Sequence, residues 1–477
     1  MRYLFLLIMI CLTVTLNLGY AQDYEKHRVI ILTDIEADPD DTQSLVRLFL
    51  YANEIDIKGI VATTSVWHKN SVEPESIVKV INAYSEVQPN LVNHQSGYPS
   101  GKALLQLVKS GLPLYGMKGV GDGHDSQGSD LIIAELEKND KRPLWISTWG
   151  GVNTLAQALY KIRKTKPAHE AKALIAKIRV YTISDQDDSG IWIRNNFPNL
   201  FYIVSPGDDY GSATWTGINS VIDGIDNSTI SNKWFATNIQ QGHGPLGARY
   251  PDVAWGVEGD TPAFLSLIPN GLNHAEKPNW GGWGGRYELY IPDFSKTKEG
   301  GSDVIIAPET RAIWTNATDT FTPYVAGEYG RATIPGKRSF EGYKETLWRW
   351  RDDLQNDFAA RMDWTTQSYQ QANHAPIAVL KSSDRMTVKS GQSLALDASD
   401  SYDPDGDNLS FIWFDYPEAG TYKKTVSTGA ANNAHAIYIT APEVTETKTV
   451  HIILKVSDKG TPALSSYKRI VITVEPK

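Results

Sequence analysis

The chain has 477 residues, 41 % of them hydrophobic, a formal charge of −9 and a single cysteine. An acidic balance argues against a nucleic-acid polymer as partner, and one thiol excludes a disulfide framework, so the fold has to rest on a buried core. The 14 Trp and 23 Tyr are more than a core alone tends to need; in an exported protein such rings either stack on sugars or a partner, or pack cores and domain interfaces.

Residues 1–21 read as a secretory signal: Arg2, an apolar run over 4–18, and Gly19-Tyr-Ala21 before Gln22, a small-x-small cleavage pattern. This predicts a secreted or periplasmic protein that starts near Gln22. The one cysteine, Cys11, would leave with the signal; the Ile-Met-Ile ahead of it is unlike lipoprotein processing. No later run is long enough to span a bilayer.

From residue 28 to about 160 short apolar runs alternate with amphipathic stretches, and the domain they open is expected to cover 25–364. Strands are predicted at 29–32, 57–63, 144–147, 178–183 and 201–204, with helices at 42–52, 76–84, 129–136 and 154–161. That alternation predicts an α/β domain with an open, mostly parallel sheet, whose ligands sit beyond the carboxyl ends of the strands. Between about 207 and 335 the texture turns to Gly, Trp, Asn and Pro, which suggests loops and caps around the site. There "NWGGWGGRYE" sets Trp280 and Trp283 among glycines, either as a flat sugar platform or as rings that plug the core. A helix rich in Trp and Arg is predicted over 340–363, and the polar segment 365–376 reads as a linker. Short alternating runs at 377–380, 393–396, 409–414, 435–439, 450–456 and 469–474 predict an immunoglobulin-like β-sandwich over 377–477. Its stretch "LDASDSYDPDGDNLSFIW" resembles polycystic-kidney-disease-type and related modules of bacterial secreted enzymes. Asp403, Asp405 and Asp407 there either clasp a calcium ion or line a solvated turn.

The densest chemistry lies at the end of the first strand. "TDIEADPDDTQSL", Thr33 to Leu45, gathers Asp34, Glu36, Asp38, Asp40 and Asp41 in a D-x-E-x-x-x-D-D pattern. Asp40 and Asp41 enter a helix whose positive end tolerates acids. Asp34 and Glu36, two residues apart, would project to one face if the strand alternation continues. Converging carboxylates raise one another's pKa unless a cation neutralises them, and a hard divalent ion, calcium outside cells, is the economical solution.

With "DIKGIVATTS" as the following strand, this loop resembles the D-x-D-x-x-x-D-D signature of calcium-dependent nucleoside hydrolases. The chain is more similar still to the secreted branch of nucleoside-hydrolase-like proteins named after a cellulose-binding member, which end in an immunoglobulin-like domain. The resemblance implies that Asp41 chelates the ion, that Asp40 bonds a sugar hydroxyl, and that Glu36 both binds the ion and acts as base toward water, with Asp34 in support. "WGGVNTLAQAL" resembles the family's G-P-L-T-N-x-A turn and puts Asn153 where a backbone carbonyl meets the metal. "EGDTPAFL" resembles H-D-P-x-A and offers Asp260 as the last ligand. Asn70 is the counterpart of a ribose-binding asparagine.

Three departures stand out. Glu36 is one methylene longer than the family's aspartate. The E-F-N sugar-binding triplet is replaced by "SDQDDSGIWIRNNFP", where Asp187 and Asp188 either bind a sugar or cap a turn. Gly259 replaces the histidine before the last ligand, so a leaving-group acid has to come from His68, His124, His243 or His274, with His124 and His68 foremost. The resulting expectation is a secreted calcium-dependent hydrolase of N- or O-glycosyl bonds acting on a small sugar-containing substrate or glycan. The alternative is a non-catalytic carbohydrate-binding protein.

Overall fold

The computed structural model describes residues 25–205, 213–293, 308–326, 333–429 and 433–477. The secretory-signal reading of residues 1–21 lies outside them. Among the described residues no helix is long and apolar enough to cross a membrane.

The first domain is built on one eight-stranded sheet. Its strands are β1 Arg28–Thr33, β2 Asp56–Ala62, β3 Val108–Ser110, β4 Leu144–Thr148, β5 Ile178–Thr182, β6 Phe201–Val204, β7 Tyr287–Tyr290 and β8 Ile313–Asn316. They lie in the order β3-β2-β1-β4-β5-β6-β8-β7, all parallel except β7, which runs antiparallel to β8. The α/β reading therefore holds. β1 is sandwiched between β2 and β4 and is buried along its whole length, which is why RVIILT shows an unbroken apolar run rather than alternation. The chain builds outward from β1 on one side through β2 and β3, then returns to the other side with β4. The strand order thus reverses between β1 and β4, and the loops after these two strands open a crevice.

The stretch 207–335 contributes more than loops, because β7 and β8 extend the main sheet. The helix expected over 340–363 is broken: Phe340–Gly342 is a short strand, and helix follows over Glu345–Trp348 and Arg351–Asp363. The C-terminal region is all-β. One sheet joins Arg385–Lys389, Ser465–Glu475, Lys448–Ser457 and Ser410–Asp415, and a second pairs Ser393–Asp397 with Ala436–Thr440, with a separate apolar core including Leu396, Trp413, Ile452 and Ile472. That is a sandwich, although 377–380 contributes only an isolated bridge from Ile377 to Tyr402.

Residues 365–376 are not a free tether. Trp364 Nε1 donates to the Asn373 carbonyl at 2.9 Å, Asn373 Nδ2 donates to Asp458 at 3.1 Å, and His374 meets His94 at 3.0 Å. The two regions share a packed seam in which Trp350 touches Phe414, Tyr416 and Tyr467.

Candidate functional site

β1 ends at Thr33, and the acidic loop turns directly into α1, Asp40–Leu50. Asp38 accepts the Asp40 N–H at 2.9 Å, so this acid fixes the turn into the helix. Asp41, fully buried, accepts a hydrogen bond from Thr33 Oγ1, which ties the first turn of α1 back to the end of β1. Asp260 arrives from a loop more than two hundred residues on. Carboxylate oxygens of Asp40, Asp41 and Asp260 all lie within 4.8 Å of one another.

The electrostatics of this triad are unbalanced. Burial, followed by the charges of neighbouring acids, pushes Asp41 and Asp260 well above the usual carboxylate range; Asp40 is pushed up by burial and by its contact with Asp38. Asp34, buried beside them, is pushed up to about 6, mainly by burial, while the Ser65 hydroxyl pulls the other way. Among the described residues none of these carboxylates is in an ion pair, and Asp260 Oδ2 is buried without a hydrogen-bond partner. Clustered hard oxygen donors with an orphaned lone pair fit a divalent cation.

Two glycines let the walls close in. A Cβ at Gly150, just after β4, would stand 2.4 Å from Asp34 Oδ1, so the crevice between β1 and β4 closes over Asp34 only with glycine there. A Cβ at Gly259 would stand 2.7 Å from Asp40 Oδ2 and 3.2 Å from the Trp215 ring, so glycine here lets both side chains close against the loop.

A buried clamp holds the two halves of the triad in register. Arg47, two turns along α1, pairs through its Nε and Nη2 with the carboxylate of Glu258, both side chains fully buried. Glu258 also accepts from Tyr250 at 2.7 Å and Thr261 at 2.8 Å, while its own N–H donates to Gln43 at 2.9 Å. It adopts a left-handed backbone, φ 49°, two residues before Asp260. The helix that carries Asp40 and Asp41 and the loop that carries Asp260 are thereby bolted together.

A family model described as "Cellulose-binding Sde182, nucleoside hydrolase-like domain" matches residues 28–287, and one described as "Cellulose-binding protein Sde0182, C-terminal domain" matches 393–474. The chain belongs to this family. A solved structure, a nucleoside hydrolase-related hypothetical protein from Saccharophagus degradans associated with carbohydrate metabolism, is 36 % identical, with 94 % of this chain and 100 % of that one covered and a TM-score of 0.77. The effector protein XOO4466, at 9 % identity over 51 % of this chain and 81 % of its own, has a TM-score of only 0.30. No curated protein matches the chain.

Against this Sde182-type frame, several predicted site residues fall elsewhere. Glu36 is exposed, with φ 80°: the chain leaves the strand after Thr33, so the alternation that would have aimed Glu36 with Asp34 stops. Asp34, not Glu36, is the acid buried against the triad. The Asn153 side chain bonds Thr63, Thr64 and the Leu114 carbonyl, which leaves its backbone carbonyl as the group that the family turn implies for the ion. Asp187 is buried and caps the helix Ser189–Asn196 through the Ser189 N–H at 2.8 Å, while also accepting the Asn153 N–H at 3.2 Å. Asp188 is exposed and accepts the Met117 N–H at 2.7 Å. Both acids follow the turn-capping alternative.

Trp283 is buried in the core and Trp280 is wedged edge-on between His274 and His451 at the seam, so neither is a sugar platform. The glycines around them serve tight packing. His124 sits in a loop that Gln157 and Lys161 pin to the helix Asn153–Thr165, and among the described residues it makes no hydrogen bond to the triad. His68 is the histidine whose charge acts on Asp34; its Nε2 lies 2.6 Å from Ser71 Oγ. Asn70 is exposed in the same loop. The residues that sequence reasoning passed over are Trp215, Arg47 and Glu258. Glu258 stands next to the motif in "EGDTPAFL", but its partner lies 211 residues away.

Proposed function

We propose that this protein is a secreted, calcium-dependent hydrolase of glycosyl bonds that acts on a carbohydrate ligand. The observation that carries the reading is the Asp40, Asp41 and Asp260 cluster, three carboxylates with no counter-ion among the described residues and with one orphaned oxygen. These three would hold the ion, which when bound supplies positive charge that orients sugar hydroxyls and favours deprotonation of water. Asp40, the half-buried member, would bond a sugar hydroxyl. With Glu36 turned outward, accepting the proton of water falls to Asp34, the acid buried beside the triad. The Trp215 ring packs close to Gly259, next to the site. His68, whose charge acts on Asp34, is the histidine assigned as leaving-group acid in this reading.

Metal content and thermal stability with and without calcium, together with sugar release from a panel of nucleosides and glycans, test the reading. Wild type at calcium a hundredfold above its Kd is expected to gain about 2.7 kcal/mol, and Asp41→Asn to lose both the gain and the turnover. A protein indifferent to calcium and inactive on the whole panel would sink the proposal. The second reading, sugar binding without catalysis, is favoured by Gly259, which leaves the triad without the histidine that hydrolases of this pattern carry. It predicts calcium-dependent glycan binding with no turnover.

A further inference from the structure

Two tryptophans are left over once the core and the seam are accounted for. Trp67 is 51 % and Trp255 89 % exposed, the two tryptophans among the described residues that stand open to solvent. A bare indole forgoes the burial that normally fixes this residue, and exposed apolar surface of that kind marks a contact site.

Both rings ride on loops tied to the triad. Trp67 follows Val66, whose N–H donates to the Gln186 carbonyl at 2.8 Å, and its own N–H donates to Ser65 Oγ at 3.0 Å. Ser65 is also the hydroxyl that bonds Asp34. Trp255 lies between Val253, whose N–H donates to Asn232 Oδ1 at 2.8 Å, and the clamped Glu258, two residues before Asp260 of the triad. The backbones are held while the indoles are free, which is the arrangement that binds a ligand at low entropic cost.

We propose that Trp67 and Trp255 form a sugar-stacking rim around the acidic site, and that the ligand of this site is an oligosaccharide chain rather than a nucleoside or a single sugar. The inference rests on reading the triad as a sugar site. A single sugar or nucleoside seated at Asp40 has Trp215 beside it and needs no further ring. Two more rings on two loops match a ligand that repeats the same chemistry, an apolar ring face edged with hydroxyls, beyond the first unit.

The test uses the full chain in calcium, titrated calorimetrically with cello-, xylo- and manno-oligosaccharides from dimer to hexamer, with turnover followed in the same samples. One series is expected to bind more tightly as the chain lengthens. Trp255→Ala and Trp67→Ala are each expected to weaken its hexamer at least about fivefold while leaving the melting temperature and calcium binding unchanged. Affinity independent of length, hexamer binding indifferent to both substitutions, or no binding in any series overturns the rim. Ring-dependent chain binding without turnover keeps the rim and removes the hydrolase reading; turnover of nucleosides or single-sugar glycosides without ring-dependent chain binding does the reverse.

Discussion

Asp319 and the Asp40, Asp41 and Asp260 triad are both buried acidic sites, and they differ in what stands opposite the charge. Asp319 receives Arg286 Nε at 2.6 Å, Arg349 at 3.2 Å and the Tyr416 hydroxyl, which reaches it from the C-terminal region. The triad receives no basic side chain among the described residues, and one of its oxygens is orphaned. A buried charge balanced inside the chain holds structure together; one left open is stable only with something bound. The seam is therefore the closed account of this molecule and the triad the open one.

The sharpest way to break that contrast is to make the same chemical change on both sides. Asp319→Asn leaves Arg286 and Arg349 buried without their partner and is expected to cost about 3–5 kcal/mol in urea unfolding. Asp260→Asn in metal-free protein removes one of several mutually repelling acids and is expected to raise stability by about 1–2 kcal/mol, while abolishing stabilisation by calcium. Equal signs at the two positions would mean that the triad is balanced by something else.

Acid separates the two regions next. At the seam His451 is held down to about 2 and His274 to about 4, by burial and by the Arg385 and Arg469 charges. The unfolded imidazoles take up protons below about 6.5 and the folded ones resist, so this stability is present above that pH and is lost as pH falls. Asp187 behaves oppositely. Burial pushes it up to about 6 against the Ser189 hydrogen bonds, so its contribution is present in acid and lost as pH rises through 6. Between pH 7 and 5, His451→Gln should gain on wild type by about 1–2 kcal/mol and Asp187→Asn should fall behind by about 1 kcal/mol, both read from urea midpoints.

The parts of this contrast that were legible in the sequence are those set by local pattern. The buried runs of β1, β4 and β5, the acids at the start of α1 and the alternating strands of the sandwich all carry their period in a few neighbouring letters. What local pattern could not supply is the partner across the fold. "NWGGWGGRYE" reads equally well as platform or plug, because His451 and Tyr467, which close over its rings, come far later in the chain. Glu258 becomes a clamp only through Arg47, 211 residues away in the chain. The strand rule that pairs Asp34 with Glu36 expires at Thr33, before either residue.

Glu36 also supplies the smallest and most discriminating test. A side chain at φ 80° carries strain that glycine does not, and Glu36 makes no hydrogen bond or ion pair among the described residues that would repay it. Glu36→Gly is expected to stabilise the protein by about 0.5–1 kcal/mol, whereas Glu36→Ala keeps the backbone strain and should be near neutral. Neither should alter calcium affinity or turnover if Asp34 is the working acid, and Asp34→Asn should then remove turnover. If Glu36→Gly stabilises the chain yet silences it, the exposed acid swings into the crevice when the site is filled. The strained turn would then be stored for that motion, and the boundary between the open and the closed charge would run through this one residue.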